Sequence, residues 1–230
     1  MKSRVYLVGF ALAMAALAAR AEFSVTPAVV SDYDWRGNSQ SGKDAAFQLG
    51  ADYSTGPFHF GVWGSTVDFG DDTDAELDLL ADFSFGSDEI ANFNTGFVYY
   101  TYPGSSDYNF PEIWFKASKS YFTAALNYSW DFANLDESGW YADVSGAFPL
   151  GDTGFELTAH VGHAFGDVYD SPGGSLDYTD YSIGFAKSFG NFDTALKFVG
   201  SDQVENEDDI FNNEDRVILS VSTTLPWAKE

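Results

Sequence analysis

The chain has 230 residues, of which 11 are basic and 35 are acidic, and it contains no cysteine. A net charge of −24 repels the phosphates of DNA and RNA, so we expect no nucleic-acid partner. The lack of cysteine excludes disulfides, thiolate nucleophiles and Cys-ligated metals. An aromatic content of 18% argues against the disorder that strong acidity otherwise signals.

The first 21 residues have the pattern of a secretory signal peptide. Lys2 and Arg4 precede an apolar run that ends in the small-residue pattern Ala19-Arg20-Ala21. Because this run is short for a transmembrane helix, we expect cleavage after Ala21, and an uncleaved anchor helix is the alternative. The mature domain then spans residues 22–230, with 8 basic against 35 acidic residues and a net charge of −27.

Along the mature chain, apolar residues alternate with small or polar ones at a period of two, which predicts β-strands with one apolar face. The alternation is clearest over residues 45–53, 75–85 and 122–130. An even number of strands brings both termini to the same side of a sheet. The about twelve predicted strands are 23–29, 45–53, 58–62, 75–85, 93–101, 113–117, 122–130, 140–148, 155–161, 181–185, 192–198 and 217–223.

Short and long connections alternate between the predicted strands. The short ones, rich in turn-forming residues, are 55–57, 86–89, 118–120, 151–153 and 189–191. The long ones are 31–43, 68–73, 103–109, 132–137, 166–177 and 201–213. Bacterial outer-membrane barrels have short periplasmic turns and long external loops. We therefore predict a single-domain, all-β fold: a transmembrane, antiparallel, up-and-down β-barrel of about 12 strands.

A soluble β-sandwich is the alternative fold, since its strands alternate in the same way. Two features favour the barrel. The polar face is rich in Gly, Ala, Ser and Thr, which suit a confined interior better than a solvated outer face. Aromatic residues also gather beside the short turns, as in an interfacial girdle. These residues are Tyr53, Phe58, Phe83, Phe85, Phe148, Phe155, Phe189 and Phe192.

The first long loop carries the most specific motif in the chain. Ser31-Asp32-Tyr33 followed by Trp35-Arg36-Gly37-Asn38-Ser39-Gln40-Ser41 resembles the first-loop signature of the TorF-type porins of proteobacteria. Val67-Asp68-Phe69-Gly70 and Glu76-Leu77-Asp78 are similar to the next stretch of that family. The resemblance implies an outer-membrane barrel of the porin class and names no solute. The motif residues of interest are Asp32, Tyr33, Trp35, Arg36, Gly37, Ser39 and Gln40.

The end of the chain departs from the usual assembly signal of such barrels. It reaches Trp227 but closes with Ala228-Lys229-Glu230, whereas a terminal aromatic residue is typical. We still expect the barrel-assembly machinery to be a partner.

Arg36 is a lone cation in an acidic loop, and an arginine can form a two-pronged pair with a carboxylate. We expect its partner to be Asp32 or Asp34, in a pair that folds the first loop inward over the barrel mouth. Gly37 allows the positive φ that such a loop needs. A direct contact between Arg36 and a solute is the alternative.

Alternation also selects the polar residues that should line the lumen. Charges there are costly unless they are paired or hydrated. If the lumen conducts, its acidic excess should favour cations, and a plugged interior braced by ion pairs is the alternative. The candidates are Gln48, Glu76, Asp78, Asp82, Glu112, Lys116, Asp143, Glu156, His160, Asp180, Lys197 and Arg216.

Clusters of acidic residues in the long loops suggest divalent cations as further partners, since Ca²⁺ and Mg²⁺ prefer oxygen ligands and lipopolysaccharide recruits the same ions. Asp68, Asp71, Asp72 and Asp74 form one such cluster. The spacing matches no EF-hand, so solvated loops are the simpler interpretation, and we assign no metal ligand and no cofactor.

An enzyme is the least favoured class. His160 could meet Ser145 or Asp143 on a neighbouring strand, but the chain has no nucleophile elbow of the G-x-S-x-G type. We therefore assign no catalytic residue. We expect a porin that passes small hydrophilic solutes with a preference for cations. The alternative is a non-conducting outer-membrane barrel that stabilises the envelope or binds divalent cations and lipopolysaccharide.

Overall fold

The structure is a computed structural model that describes residues 22–87, 89–171, 174–203 and 213–227. The predicted signal peptide, residues 1–21, lies outside the described residues. The acidic stretch 204–212 of the last long loop lies outside them as well.

Twelve antiparallel strands form a closed barrel in which each strand pairs with its neighbours in the chain and the first pairs with the last. The strands are β1 Glu22–Val30, β2 Ala46–Thr55, β3 Phe58–Thr66, β4 Ala75–Ser87, β5 Ala91–Thr101, β6 Phe110–Lys119, β7 Phe122–Ser129, β8 Gly139–Pro149, β9 Glu156–Phe165, β10 Tyr178–Phe189, β11 Phe192–Ser201 and β12 Arg216–Ser222.

The connections contain only short elements. Two-residue strands pair within the first long loop, Asp34–Trp35 with Asn38–Ser39, and within the fifth, Asp170–Ser171 with Gly174–Ser175. Single turns of 3₁₀ helix occur at Ser106–Tyr108, Phe132–Asn134, Gly151–Thr153 and Asp167–Tyr169. Among the described residues, no helix has both the length and the apolar character needed to cross a membrane.

The seam between β1 and β12 closes the sheet. Ala28 lies opposite Ser222, and the pairing continues beyond β12, where Val25 and Leu225 exchange backbone hydrogen bonds of 2.9 and 2.8 Å. Closure removes the two free edges that an open sheet of this length would expose.

Large apolar side chains cover the outside of the barrel. Phe47, Leu49, Ile183 and Leu196 are each more than half exposed, on a surface where contact with water would cost roughly 25 cal/mol per Å² of apolar area. Near the short turns, Phe83, Phe85, Phe93 and Phe115 follow one another with ring centroids 5.3 to 5.8 Å apart. This apolar belt with an aromatic rim suits contact with lipid and not with water.

The predicted barrel of about twelve strands is confirmed, and the alternative of two stacked sheets is wrong. Several strands are longer than their alternation indicates: β6 begins at Phe110 rather than 113, and β10 extends over Tyr178–Phe189 rather than 181–185. The alternation of apolar and polar residues does not extend to the start of β6, where Phe110, Pro111 and Glu112 are all buried. Loops from the barrel mouth cover that end of the strand.

A charge on the outer face provides a direct test of the lipid contact. We expect Ile183→Arg, in the middle of β10, to destabilise the refolded barrel by about 2–4 kcal/mol, because a guanidinium near the bilayer midplane loses its hydration. Urea unfolding in lipid vesicles measures the change. The control is Leu135→Arg in the fourth long loop, 59% exposed, which should change stability by less than about 0.5 kcal/mol. Equal stability of both variants would contradict the lipid-facing belt.

Candidate functional site

The first long loop folds into the barrel as a short hairpin, which we call the loop-1 hairpin (residues 34–39). Arg36 and Gly37 form its tip with φ values of 52° and 84°, the left-handed conformations that a tight two-residue hairpin turn requires. A Cβ atom on Gly37 would lie 2.8 Å from Cβ of Asp180 and 3.0 Å from Cβ of Ser201. The tip therefore touches the wall at β10 and β11, and only glycine fits there.

Arg36 anchors the tip to the opposite side of the barrel. Its Nη2 atom donates to both carboxylate oxygens of Glu112 on β6 at 2.8 Å, and its guanidinium lies over the rings of Trp35 and Tyr141, 4.4 and 4.2 Å from their centroids. Burial alone would lower the pKa of Arg36, but the charge and hydrogen bonds of Glu112 hold that pKa above its ordinary value. The arginine therefore stays charged.

The predicted pairing of Arg36 with Asp32 or Asp34 is wrong. Both carboxylates pair instead with Arg216 at the start of β12: Nε of Arg216 donates to Asp32 and Nη2 donates to Asp34. A third donor, Nη1 of Arg216, bonds the carbonyl of Gly37 at 3.0 Å. The reason is geometric, because Arg36 lies at the tip of the hairpin and points away from its base, where the two aspartates lie.

The remaining polar residues of the motif hold the loop in its folded shape. Oδ1 of Asp32 accepts hydrogen bonds from the hydroxyls of Ser39 and Ser41 at 2.5 and 3.2 Å. The backbone N–H of Gln40 donates to the carbonyl of Tyr33 at 2.6 Å. Ser39, Gln40 and Ser41 are all at least 95% buried. The motif residues thus bond mainly to one another and to the wall.

Aromatic side chains fill the space around the hairpin at the long-loop end of the lumen. Trp35 contacts Tyr100, Phe110 and Phe132, with centroid distances of 6.1 to 6.3 Å, and Tyr33 lies edge-on to Trp63 at 5.3 Å. A buried group of Val67, Phe69, Tyr102 and Phe110 continues this packing into the second and third loops. The long-loop half of the lumen is therefore largely filled.

Two buried carboxylates lie on β4 beside this packing without a basic partner among the described residues. Glu76 and Asp78 are 4% and 6% exposed. Oε1 of Glu76 accepts a hydrogen bond from the hydroxyl of Tyr102 at 3.3 Å. In the part of the chain that the structure describes, no hydrogen-bond donor meets Oε2 of Glu76 or Oδ1 of Asp78.

Below the hairpin, on the side of the short turns, the lumen contains a cavity of about 940 Å³. Its wall combines carboxylates, lysines, amides and small residues with the rings of Trp35, Tyr100, Trp114 and Tyr141. Eight of the twelve predicted lumen residues line it: Asp78, Asp82, Glu112, Lys116, Asp143, His160, Asp180 and Lys197.

The other four predicted lumen residues lie outside the cavity lining. Glu76 is buried and bonded by the hydroxyl of Tyr102, and Arg216 is bound to the base of the hairpin. Gln48 and Glu156 are half-buried, towards the long-loop and short-turn ends of their strands respectively.

His160 is hydrogen-bonded within the wall. Its Nε2 atom lies 2.9 Å from Oδ1 of Asp180 and 2.9 Å from the hydroxyl of Tyr141, and its Nδ1 atom lies 3.9 Å from Asp143. Ser145 is opposite His160 in the register, but the ring bonds Tyr141 and Asp180. This arrangement holds the imidazole between the Asp180 carboxylate and the Tyr141 phenol.

A second histidine cluster, which the alternation pattern alone does not reveal, lies near the short turns. Nδ1 of His59 lies 2.6 Å from Asp82, and Nε2 lies 3.0 Å from Asp52. Asp82 also accepts from Asn94, which accepts in turn from the indole N–H of Trp114. The network crosses five strands, β2 to β6. The pairing of β3 with β4, which sets His59 opposite Asp82, was the signal that could have found it.

The described acidic loop residues accept hydrogen bonds from their own loop and from neighbouring loops, as Asp167 does from the hydroxyl of Ser138 at 2.7 Å. Hydrogen bonds from the side chain and backbone of Thr73, and from the hydroxyl of Tyr108, lower the pKa of Asp71. Among the residues that the structure describes, no three His, Cys, Asp or Glu side chains are grouped to hold a metal ion. Glu205, Glu207, Asp208 and Asp209 of the last loop lie outside those residues.

Comparison of the sequence with known protein families assigns the chain to one of them. Residues 14–225 match the sequence model of the family described as "Bacterial protein of unknown function (Gcw_chp)". The chain belongs to this family. None of the curated proteins matches the chain in sequence.

The Gcw_chp chain also shares its fold with solved membrane barrels. It superposes on the KdgM porin in complex with disordered oligogalacturonate with a TM-score of 0.54 and 8% identity, covering 89% of this chain and 99% of that one. A protein from work on the in-meso crystallization of membrane proteins gives a TM-score of 0.56 with 9% identity, covering 91% and 86% of the two chains. At this identity, the likeness concerns the fold alone.

The Arg36–Glu112 pair leads to a stability prediction. We expect Arg36→Met or Glu112→Leu alone to cost about 3–5 kcal/mol, because each leaves a buried charge without its partner. The double variant should recover most of this loss. Urea unfolding measures the stability, and limited proteolysis of segment 31–45 reports the position of the hairpin. A double variant as unstable as the single variants would contradict a direct pair.

Proposed function

We propose that the protein is an outer-membrane porin that passes small hydrophilic solutes. The observation that carries the proposal is the cavity of about 940 Å³, lined by polar side chains, within a closed barrel whose outside is apolar. In this proposal the loop-1 hairpin is the narrowest part of the path, and solutes enter between it and the wall.

We further propose a preference for cations. Six carboxylates line the cavity, against three permanent cations. Arg36 is neutralised by Glu112, whereas the only basic group within 4 Å of the Asp143 carboxylate, among the described residues, is the imidazole of His160. A wall with excess negative charge lowers the energy of a passing cation and raises that of an anion. The carboxylates are Asp34, Asp78, Asp82, Glu112, Asp143 and Asp180, and the cations are Arg36, Lys116 and Lys197.

Several sequence features support an outer-membrane location. The proposed signal peptide, residues 1–21, leads to export, and residues 22–230 form the barrel domain in this proposal. The resemblance of residues 31–41 to the TorF-type porins points to the same membrane. Lipopolysaccharide, phospholipid and the barrel-assembly machinery are then its partners, with divalent cations at the acidic loops.

A second candidate function has its own support. The long-loop half of the lumen is packed with the loop-1 hairpin and aromatic side chains, and such packing favours a non-conducting barrel that stabilises the envelope or binds divalent cations and lipopolysaccharide. Planar-bilayer recording of the refolded protein separates the two functions. Discrete current steps support the porin, and silence at all voltages supports the non-conducting barrel.

Release of the hairpin should increase the current. In Arg36→Ala combined with Arg216→Ala, the hairpin loses both of its ion-paired anchors, so we expect a larger single-channel conductance than in the wild type. Lys43→Ala is the control, because Lys43 belongs to the same loop but pairs at the surface with Glu214. An unchanged conductance in the double variant, together with protease-sensitive segment 31–45, would contradict a path past the hairpin.

Charge changes in the cavity should alter selectivity in opposite directions. We expect Asp143→Asn to reduce the cation preference and Lys197→Gln to increase it, because both side chains line the cavity and act on a passing ion through space. The reversal potential in asymmetric KCl measures the preference. Asp152→Asn, in the short turn before β9, is the control. Identical reversal potentials in all four proteins would exclude the proposed wall.

A further inference from the structure

Lys187 is the basic residue of β10 that points out of the barrel, near the turn that joins β10 to β11. Its ammonium group donates to the carbonyl of Thr153 at 2.9 Å and lies 4.2 Å from the ring centroid of Phe155. No carboxylate forms an ion pair with it among the described residues. The chain has a net charge of −24, yet this outward cation has no counter-charge of its own within the described ranges.

An apolar groove of about 480 Å³ begins at Lys187 and runs over the outer surface of β10, β11 and β12. Its lining is aliphatic and aromatic apart from Lys187 and two threonines. Phe185, Leu196 and Leu219 each have about half of their side-chain surface exposed there. Lys187 thus lies at the short-turn end of the groove, and the apolar residues extend from it towards the centre of the barrel.

We propose that Lys187 and this groove form a binding site for one glycerophospholipid of the periplasmic leaflet. The phosphate would be bound by the ammonium group, and one acyl chain would lie along Phe185, Leu196 and Leu219. This inference rests on the proposed outer-membrane location, in which the short turns are periplasmic.

Charge complementarity supports this occupant. A lysine at the level of the lipid headgroups extends its ammonium to the polar interface while its methylene stem stays on apolar surface. Among the groups at that depth, a phosphate diester supplies the negative charge that Lys187 lacks. Phe185 lies two positions before Lys187 along the strand, about 7 Å away, so an acyl chain attached to such a phosphate enters the groove directly.

A second outward groove serves as an internal comparison. It is lined by Phe47, Leu49, Val62 and Leu77, among others, has a volume of about 350 Å³ and contains no ionisable residue. It offers contact to any acyl chain without selecting a headgroup. The presence of Lys187 is what distinguishes the groove on β10 to β12.

Native mass spectrometry of the full-length mature barrel in detergent tests the site, with phosphatidylglycerol and the diacylglycerol of the same acyl chains as probes. We expect the wild type to retain one phosphatidylglycerol in preference to diacylglycerol. Lys187→Gln should weaken this retention by about fivefold, the effect of one interfacial basic residue. Lys187→Arg should remain close to wild type, because it keeps the charge.

Lys119→Gln is the matched control. Lys119 is exposed at the same end of the barrel and donates to the backbone of residue 89, but it lies beside no apolar groove of this kind. Its variant should retain phosphatidylglycerol as the wild type does. Equal losses in both glutamine variants, or equal retention of phosphatidylglycerol and diacylglycerol by the wild type, would overturn the proposal.

The result is independent of conduction. A barrel that is silent in planar bilayers can still retain the lipid, and a conducting barrel can fail to retain it. Gel mobility before and after heating shows that each variant is folded, so a loss of lipid is not confused with a loss of the barrel.

Discussion

Lipid offers no hydrogen-bond partner to a polypeptide backbone, so a sheet in the hydrocarbon region has to satisfy its N–H and C=O groups within itself. In this protein the condition is met by the seam between β1 and β12, which continues past the last strand through the Val25–Leu225 bridge. Once the sheet is closed, alternate side chains point either outwards to the lipid or inwards to the lumen. One set must suit lipid, and the other must share a narrow lumen.

That lumen holds far more negative than positive charge, and this imbalance explains how the first loop is held. The guanidinium of Arg36, in the loop, pairs with Glu112 on the wall. The guanidinium of Arg216, on the wall, pairs with Asp32 and Asp34 in the loop. One arginine of the loop therefore neutralises a carboxylate of the wall, and one arginine of the wall neutralises carboxylates of the loop. Glu76 and Asp78 are left without basic partners among the described residues, although they lie only a short distance along the wall from this network.

The strands could be predicted from the sequence because their information is local. A period of two needs only neighbouring residues, and it gave twelve strands and the correct alternation of short and long connections. It failed where loops cover a strand end, as at Phe110 to Glu112, because burial on both faces removes the alternation.

The partners inside the lumen could not be predicted in the same way. Arg36 and Glu112 are 76 residues apart. Their contact depends on which strand of the barrel wall lies opposite the tip of the hairpin. Nothing local distinguishes Glu112 from Asp34 as a partner. The contact between His59 and Asp82 is easier to predict from the sequence, since the register of one hairpin sets the two residues opposite each other.

The position of the cavity follows from the lengths of the connections. Turns of a few residues, such as those at Gly56 and Gly190, are too short to fold back into the lumen of a twelve-stranded barrel. Only the loops at the other end can enter it, and the first of them does so as far as its hairpin reaches. The lumen is therefore filled from the long-loop end, and the cavity lies below the tip, where carboxylates of β4, β8 and β10 line it. The difference in length between the two sets of connections thus determines which half of the lumen contains the cavity.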